Sequence, residues 1–136
     1  MRRSTRFSYL TVFILVFLCL LGCNHRLNGD LTNVPASKVY TVEQLISEFQ
    51  SNKKGDTELV IAVEGIVHEI NNVNDRHTIL LEGETASETY VICDMNTNQL
   101  NTTEAVKSGD LILVKGLLKG FLKDVIMLNC VVIKTE

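Results

Sequence analysis

The chain has 136 residues, 13 Lys+Arg against 16 Asp+Glu, and a net charge of −3 at pH 7. That length suits one small domain, and the acidic balance argues against a surface that grips phosphate backbones, which needs concentrated positive charge. Trp is absent and only 6% of residues are aromatic, so stacking platforms of the kind that bind single strands are poorly supplied.

The N-terminus has three parts. Arg2, Arg3 and Arg6 give a basic start, and the run from Phe7 to Leu21 is almost uniformly apolar. This run is shorter than the roughly 20 residues of a membrane span, and with its basic flank it reads as a secretory signal. Leu20-Leu21-Gly22-Cys23 resembles a bacterial lipobox, in which the Cys is lipidated and becomes the new N-terminus. The pattern predicts a signal peptide over residues 1–22, lipidation at Cys23, and a bacterial envelope protein held by its lipid on the periplasmic face or at the outer membrane. Removing 22 of 136 residues leaves 114, and losing three arginines leaves 10 basic residues against 16 acidic ones, a net charge of −6.

Residues 23–38 are polar, carry the chain's only proline (Pro35) and show no periodicity, as a tether would. The character changes at Val39, where the folded domain (39–136) is expected to begin. Thr41 and Gln44 form a capping-box pattern, and Val42, Leu45, Ile46 and Phe49 recur at the spacing of one helical face. Lys53-Lys54-Gly55-Asp56 should end that helix. From Glu58 the period becomes two: Leu59, Ile61, Val63 and Val67 alternate with polar residues, and Gly65 suggests a bulge. A turn over Asn71 to Asp75 leads to strands at His77 to Glu82 and Thr89 to Met95. The segment Asn96 to Ser108 reads as a loop with a short helix starting near Thr102 or Thr103. Strands at Leu111 to Leu117 and Val125 to Lys134 follow, with Gly116 and Gly120 read as a strand end and a turn.

Two cysteines remain in the domain. In an oxidising compartment Cys93 and Cys130 are expected to form a disulfide, the alternative being two buried free thiols acting as small apolar residues.

Five strands bury one apolar face most economically by curling into a barrel, which also removes exposed edges. The fold expected is therefore all-β, a β-barrel with minor helices: a five-stranded OB-fold preceded by a short N-terminal helix. Gly65-Ile66-Val67, Val91-Ile92-Cys93, Gly109-Asp110 with Val114-Lys115-Gly116, Gly120 with Asp124-Val125, and Asn129-Cys130-Val131 together resemble the tRNA_anti-like OB-fold family over residues 39–133. That resemblance implies a fold shared by many short bacterial lipoproteins. It implies no reaction, and the family's name reflects a remote likeness to anticodon-binding domains.

OB-folds usually bind on the face of their second and third strands, flanked by the loops between strands one and two and between four and five. On this chain that face would present Tyr90, with Arg76, Lys115, Lys119 and Lys123 as a basic rim on one side. Ordinary solvated charge on turns is the favoured explanation of those cations. His25, His68 and His77 lack paired ligand spacing, and Glu82, Glu84 and Glu88 lack the frame of a calcium loop, so no metal or other cofactor is expected. No Ser, Cys or Asp can be assigned a base partner, and no catalytic residue is expected. The leading expectation is a noncatalytic binding module, anchored to the membrane through its N-terminal lipid, whose partner is an unknown envelope protein or small ligand. The rivals are a nucleic-acid- or oligonucleotide-binding domain, which the acidic balance disfavours, and a structural component of an envelope complex.

Overall fold

The computed structural model describes residues 29–51, 58–85, 87–99 and 104–135. The signal segment, Cys23, His25, the turn over 53–56 and the helix start near 102–103 lie outside these residues. Seven regular elements follow in order: β1 (Val39–Thr41), α1 (Val42–Ser51), β2 (Val60–Val73), β3 (Arg76–Glu82), β4 (Val91–Met95), β5 (Leu111–Phe121) and β6 (Val125–Thr135), with 3-10 turns at Leu31–Asn33 and Thr97–Gln99. The hydrogen-bonded order is β1-β2-β3-β4-β6-β5, and a further β2–β5 pairing closes β2 to β6 into a five-stranded barrel. This is the expected OB-fold, with one strand more than the periodicity suggests. The extra strand, β1, runs parallel to β2 with Tyr40 opposite Val63. Three residues are too few to show a period, so in sequence β1 merges with the start of the helix.

Closure depends on β2 serving two neighbours. Val60 to Ile66 pair with β5, while Ile66 to Val73 pair with β3. The bulge that lets the strand turn between them lies between Val67 and Glu69, not at Gly65. Gly65 matters for packing instead, since a Cβ there would sit 2.6 Å from Val42 Cγ2 and 3.1 Å from the Glu82 carbonyl oxygen. It is the place where α1 is allowed to approach the sheet.

The β2–β3 connection is tighter than the sequence suggests. Both strands continue to a two-residue turn in which Asn74 and Asp75 have φ of 52° and 60°. Left-handed backbone at both central positions matches the twist of the flanking strands, and Asn and Asp tolerate it better than most residues. Likewise β5 does not end at Gly116. It runs on through Phe121, with Gly120 inside it at a register shift.

Helix α1 closes one end of the barrel. Its capping box forms as the sequence predicts: Thr41 N–H donates to Gln44 Oε1 at 3.1 Å, and Gln44 N–H donates to Thr41 Oγ1 at 3.3 Å. Val42, Leu45, Ile46 and Phe49 are all buried, and the Phe49 ring stacks on Phe121 with centroids 5.6 Å apart. They join Ile61, Val63, Val67, Ile79, Leu81, Val91, Val114, Val125 and Met127 in one core.

Residues 29–38, expected as part of a free polar tether, are packed on the barrel. Ser37 N–H donates to the Val60 carbonyl at 2.8 Å, and Ala62 N–H to that of Lys38 at 3.0 Å. Asn129, with φ of 56°, donates to the Gly29 carbonyl. Lys115 points outward from β5 yet is buried, because its Nζ donates to the carbonyls of Thr32 (2.9 Å) and Val34 (2.8 Å).

Cys93 and Cys130 are both fully buried and are free thiols in the structure. Their strands, β4 and β6, are parallel neighbours as expected, but Cys93 faces Met127 while Cys130 faces Met95. With strands about 4.8 Å apart and a rise of about 3.3 Å per residue, this diagonal puts the Cα atoms roughly 8 Å apart. That exceeds the roughly 7 Å usual for a disulfide, and the two thiols are unbonded in the structure. Instead the two thiols share a hydrogen bond, and burial pushes the Cys130 thiol well above its ordinary range. Room for the Cys130 sulfur comes from Gly116, where a Cβ would lie 2.5 Å from Sγ and 3.2 Å from the Leu128 carbonyl oxygen.

Gly116→Ala should therefore overpack the barrel and lower stability by about 1–3 kcal/mol in urea unfolding, with part of the loss recovered when Cys130→Ala is added. Intact mass should be unchanged by a thiol reductant, and both thiols should take iodoacetamide only after unfolding.

Candidate ligand-binding face

Strand alternation decides which side chains reach the outside of β2, β3, β4 and β6. Ile79, Leu81, Val91, Cys93, Val125 and Met127 point into the core. Their neighbours Leu80, Ile92 and Ile126 point out and stay half-exposed. Register aligns them: Leu80 faces Ile92, Ile92 faces Ile126, and Glu69 on β2 extends the same row. The centre of the face is thus an aliphatic row crossing three strands.

The β2 bulge supplies one border. It turns His68 outward, where Nδ1 lies 2.8 Å from Glu82 Oε2 and the ring sits 4.7 Å from that of Tyr90, tilted by 33°. Tyr90 is fixed by its backbone: its N–H donates to Asp124 Oδ1 at 2.9 Å, and its carbonyl accepts from Val125 N–H at 3.0 Å. At the other border Arg76 Nη2 donates to Asp94 Oδ2 at 2.6 Å. Hydrogen bonding and charge attraction from Asp94 hold the guanidinium pKa above its ordinary value.

The residues singled out from sequence therefore separate. Tyr90 and Arg76 lie toward opposite ends of the face: Tyr90 precedes β4, whereas Arg76, on β3, reaches Asp94, four residues further along, about 13 Å at a rise of about 3.3 Å per residue. Lys119 lies on β5 and pairs with Glu58 at 3.1 Å. Lys123 stands in the exposed turn between β5 and β6, next to Asp124. No basic rim converges on Tyr90: Arg76 is compensated by Asp94 and Lys119 by Glu58, and Lys115 is buried under residues 32–34 away from this face, while Glu69, Glu82 and Asp124 leave this side acidic. Sequence reasoning missed His68 as a member of the face, because its orientation depends on a bulge that lies beyond the glycine expected to mark it.

His68 and His77 do not meet. His77 Nδ1 lies 2.6 Å from Asn72 Oδ1, on the hairpin arm. Among the described residues no group of three or more His, Cys, Asp or Glu side chains is arranged to hold a metal ion.

Beside the face, a cleft of about 280 Å³ opens between the start of α1 and the ends of β2 and β3, with Glu43, Glu64, Glu82 and Glu84 in its lining. Glu43 is a structural clasp here: Oε1 accepts from Thr85 N–H at 3.4 Å. Burial opposes its ionisation, but donors from its own backbone, Thr41, Thr85 and Glu84 outweigh that and hold the pKa below the ordinary carboxylate value. Gly83 makes the contact feasible, since a Cβ there would collide with the carboxylate.

The tRNA_anti-like family model matches residues 1–132. The chain belongs to the tRNA_anti-like family. Among solved structures it is similar to a candidate nucleic acid-binding lipoprotein from Klebsiella pneumoniae subsp. pneumoniae, with a TM-score of 0.60 and 15% identity, covering 71% of this chain and 91% of that one. The Stn1–Ten1 complex of S. pombe gives a TM-score of 0.44 and 12% identity, over 55% of this chain and 58% of that one. The likeness to the Klebsiella structure is one of fold. No curated protein sequence matches the chain.

A carboxylate whose folded pKa is depressed stabilises the fold above its unfolded pKa and loses that contribution as pH falls through the folded value. For the tRNA_anti-like domain, urea midpoints measured from neutral pH downward should fall in acid, and Glu43→Gln should make that fall shallower.

Proposed function

We propose that this tRNA_anti-like protein is a noncatalytic, lipid-anchored binding module of the bacterial cell envelope, and that its outer β2–β3–β4 face docks a protein partner. The observation that carries this reading is the chemistry of the face: an aliphatic row, Leu80–Ile92–Ile126, bordered by the Arg76–Asp94 ion pair and the His68–Glu82 hydrogen bond, with Glu69 adding acidic charge. Protein interfaces favour an apolar centre with a polar rim, whereas a phosphate backbone rewards uncompensated cations. Arg76 and Asp94 at one border are engaged with one another, as an ion pair of a docking rim would be. The lipobox-like Leu20-Leu21-Gly22-Cys23 supports the anchor, and so does the lipoprotein character given to the Klebsiella neighbour.

A second reading, oligonucleotide binding, is favoured by the adjacent His68 and Tyr90 rings and by the nucleic-acid-binding role suggested for that neighbour. Base stacking on two rings without a basic groove would be weak and strongly salt-dependent.

Capture from detergent-solubilised envelopes separates the two. Immobilised protein should retain a discrete protein partner, and Ile92→Asp should weaken that retention about tenfold or more, a loss of about 1.4 kcal/mol. A labelled single-stranded oligonucleotide should show no saturable binding at low salt. Saturable binding that weakens with salt and is abolished by Tyr90→Ala would replace the protein reading with the oligonucleotide one.

A further inference from the structure

The path of residues 29–38 assigns them a role beyond linking anchor to domain. The segment crosses three strands in turn: Gly29 is held by Asn129 on β6, Thr32 and Val34 by Lys115 on β5, and Ser37 and Lys38 by Val60 and Ala62 on β2. Beneath it, Ala62, Lys115 and Val131 form one cross-strand row, and all three are buried although they lie outside the barrel core. Leu31, 2% exposed, sits in the 3-10 turn that packs against β6. The barrel therefore carries a second, small apolar layer on its outside, roofed by its own N-terminal segment. A buried lysine whose stem lies in that layer and whose ammonium caps two carbonyls is costly to leave unpartnered, so the roof and the barrel stabilise one another.

In the ring β2-β3-β4-β6-β5 the strand at the centre of this strap, β5, lies opposite β3 and β4. We infer that residues 29–38 are a fixed strap that sets the attitude of the barrel on the membrane, turning the β5 side toward the bilayer and the β3–β4 face away from it. This rests on lipid anchorage at Cys23. Cys23 and the first held residue, Gly29, are six positions apart, a span of at most about 20 Å. A tether free as far as Lys38 would be 15 positions long and would let the domain tumble within a radius of about 50 Å. The strap shortens the leash and gives it a direction, so that the docking face is presented outward to partners rather than to lipid.

The test uses full-length protein extracted from membranes and reconstituted in phosphatidylethanolamine–phosphatidylglycerol vesicles carrying a head-group quencher. Fluorescent reporters are placed singly by Asn33→Cys on the strap and Glu69→Cys on the opposite face; both positions are exposed, and the native thiols are fully buried. The reporter at 33 should be quenched more than that at 69. That difference should be lost in Lys115→Met, which releases the strap, and also when a flexible Gly-Ser spacer of about twelve residues is inserted between residues 28 and 29. The spacer leaves every strap contact in place, so it reports even where Lys115→Met does not fold. Equal quenching at 33 and 69 in lipidated protein with its native strap, or a difference that survives the spacer, would overturn the strap inference and leave the anchor intact. An intact mass without lipid at Cys23 would overturn both together.

Discussion

Barrel closure rests on one strand, β2, which hydrogen-bonds β5 along its first half and β3 along its second. A strand can serve two neighbours facing different ways only if it bends, and the bend is taken up at the Val67–Glu69 irregularity. Two consequences follow from that one constraint. The core is sealed, because β3 and β5 are held on either side of it while α1 fits over the end at Gly65. The candidate face also acquires His68, which a regular strand would place differently and which the bulge sets beside Tyr90 and Glu82. Fold and site are products of the same distortion.

Lys115 shows how a strand position with outward geometry can still be interior. By alternation it belongs to the outside of β5, and a lysine there would ordinarily be solvated. Instead residues 29–38 lie over it and give their carbonyls to its ammonium. Asn129 does the same at the next strand, bonding to Gly29 on one side and accepting from Asn96 on the other. An apparently featureless polar segment is thus bound through its backbone, the part of a chain that composition says least about.

This explains which features are legible in the sequence and which are not. The helix is legible because its capping box and its apolar face are local, and the barrel because alternation and glycine placement are local too. β1 is not legible, since three residues carry no period. The course of β5 through Gly116 and Gly120 is hidden because those glycines answer to tertiary demands, at Gly116 the Cys130 sulfur. Tyr90, expected from fold analogy, lies beside His68 at the border of the outer face. Arg76, Lys119 and Lys123 stand out in sequence by charge, and charge alone cannot reveal that Asp94 and Glu58 neutralise two of them.

The functional account turns on what the Leu80–Ile92–Ile126 row meets in the cell. The most direct measurement is in-cell photocrosslinking with Ile92 replaced by a benzophenone-bearing residue, and with Asn33 on the strap side replaced in the same way as the control position. The account predicts a discrete protein adduct from position 92 that is absent from position 33. Adducts to nucleic acid at position 92, or the same protein adducts from both positions, would contradict it.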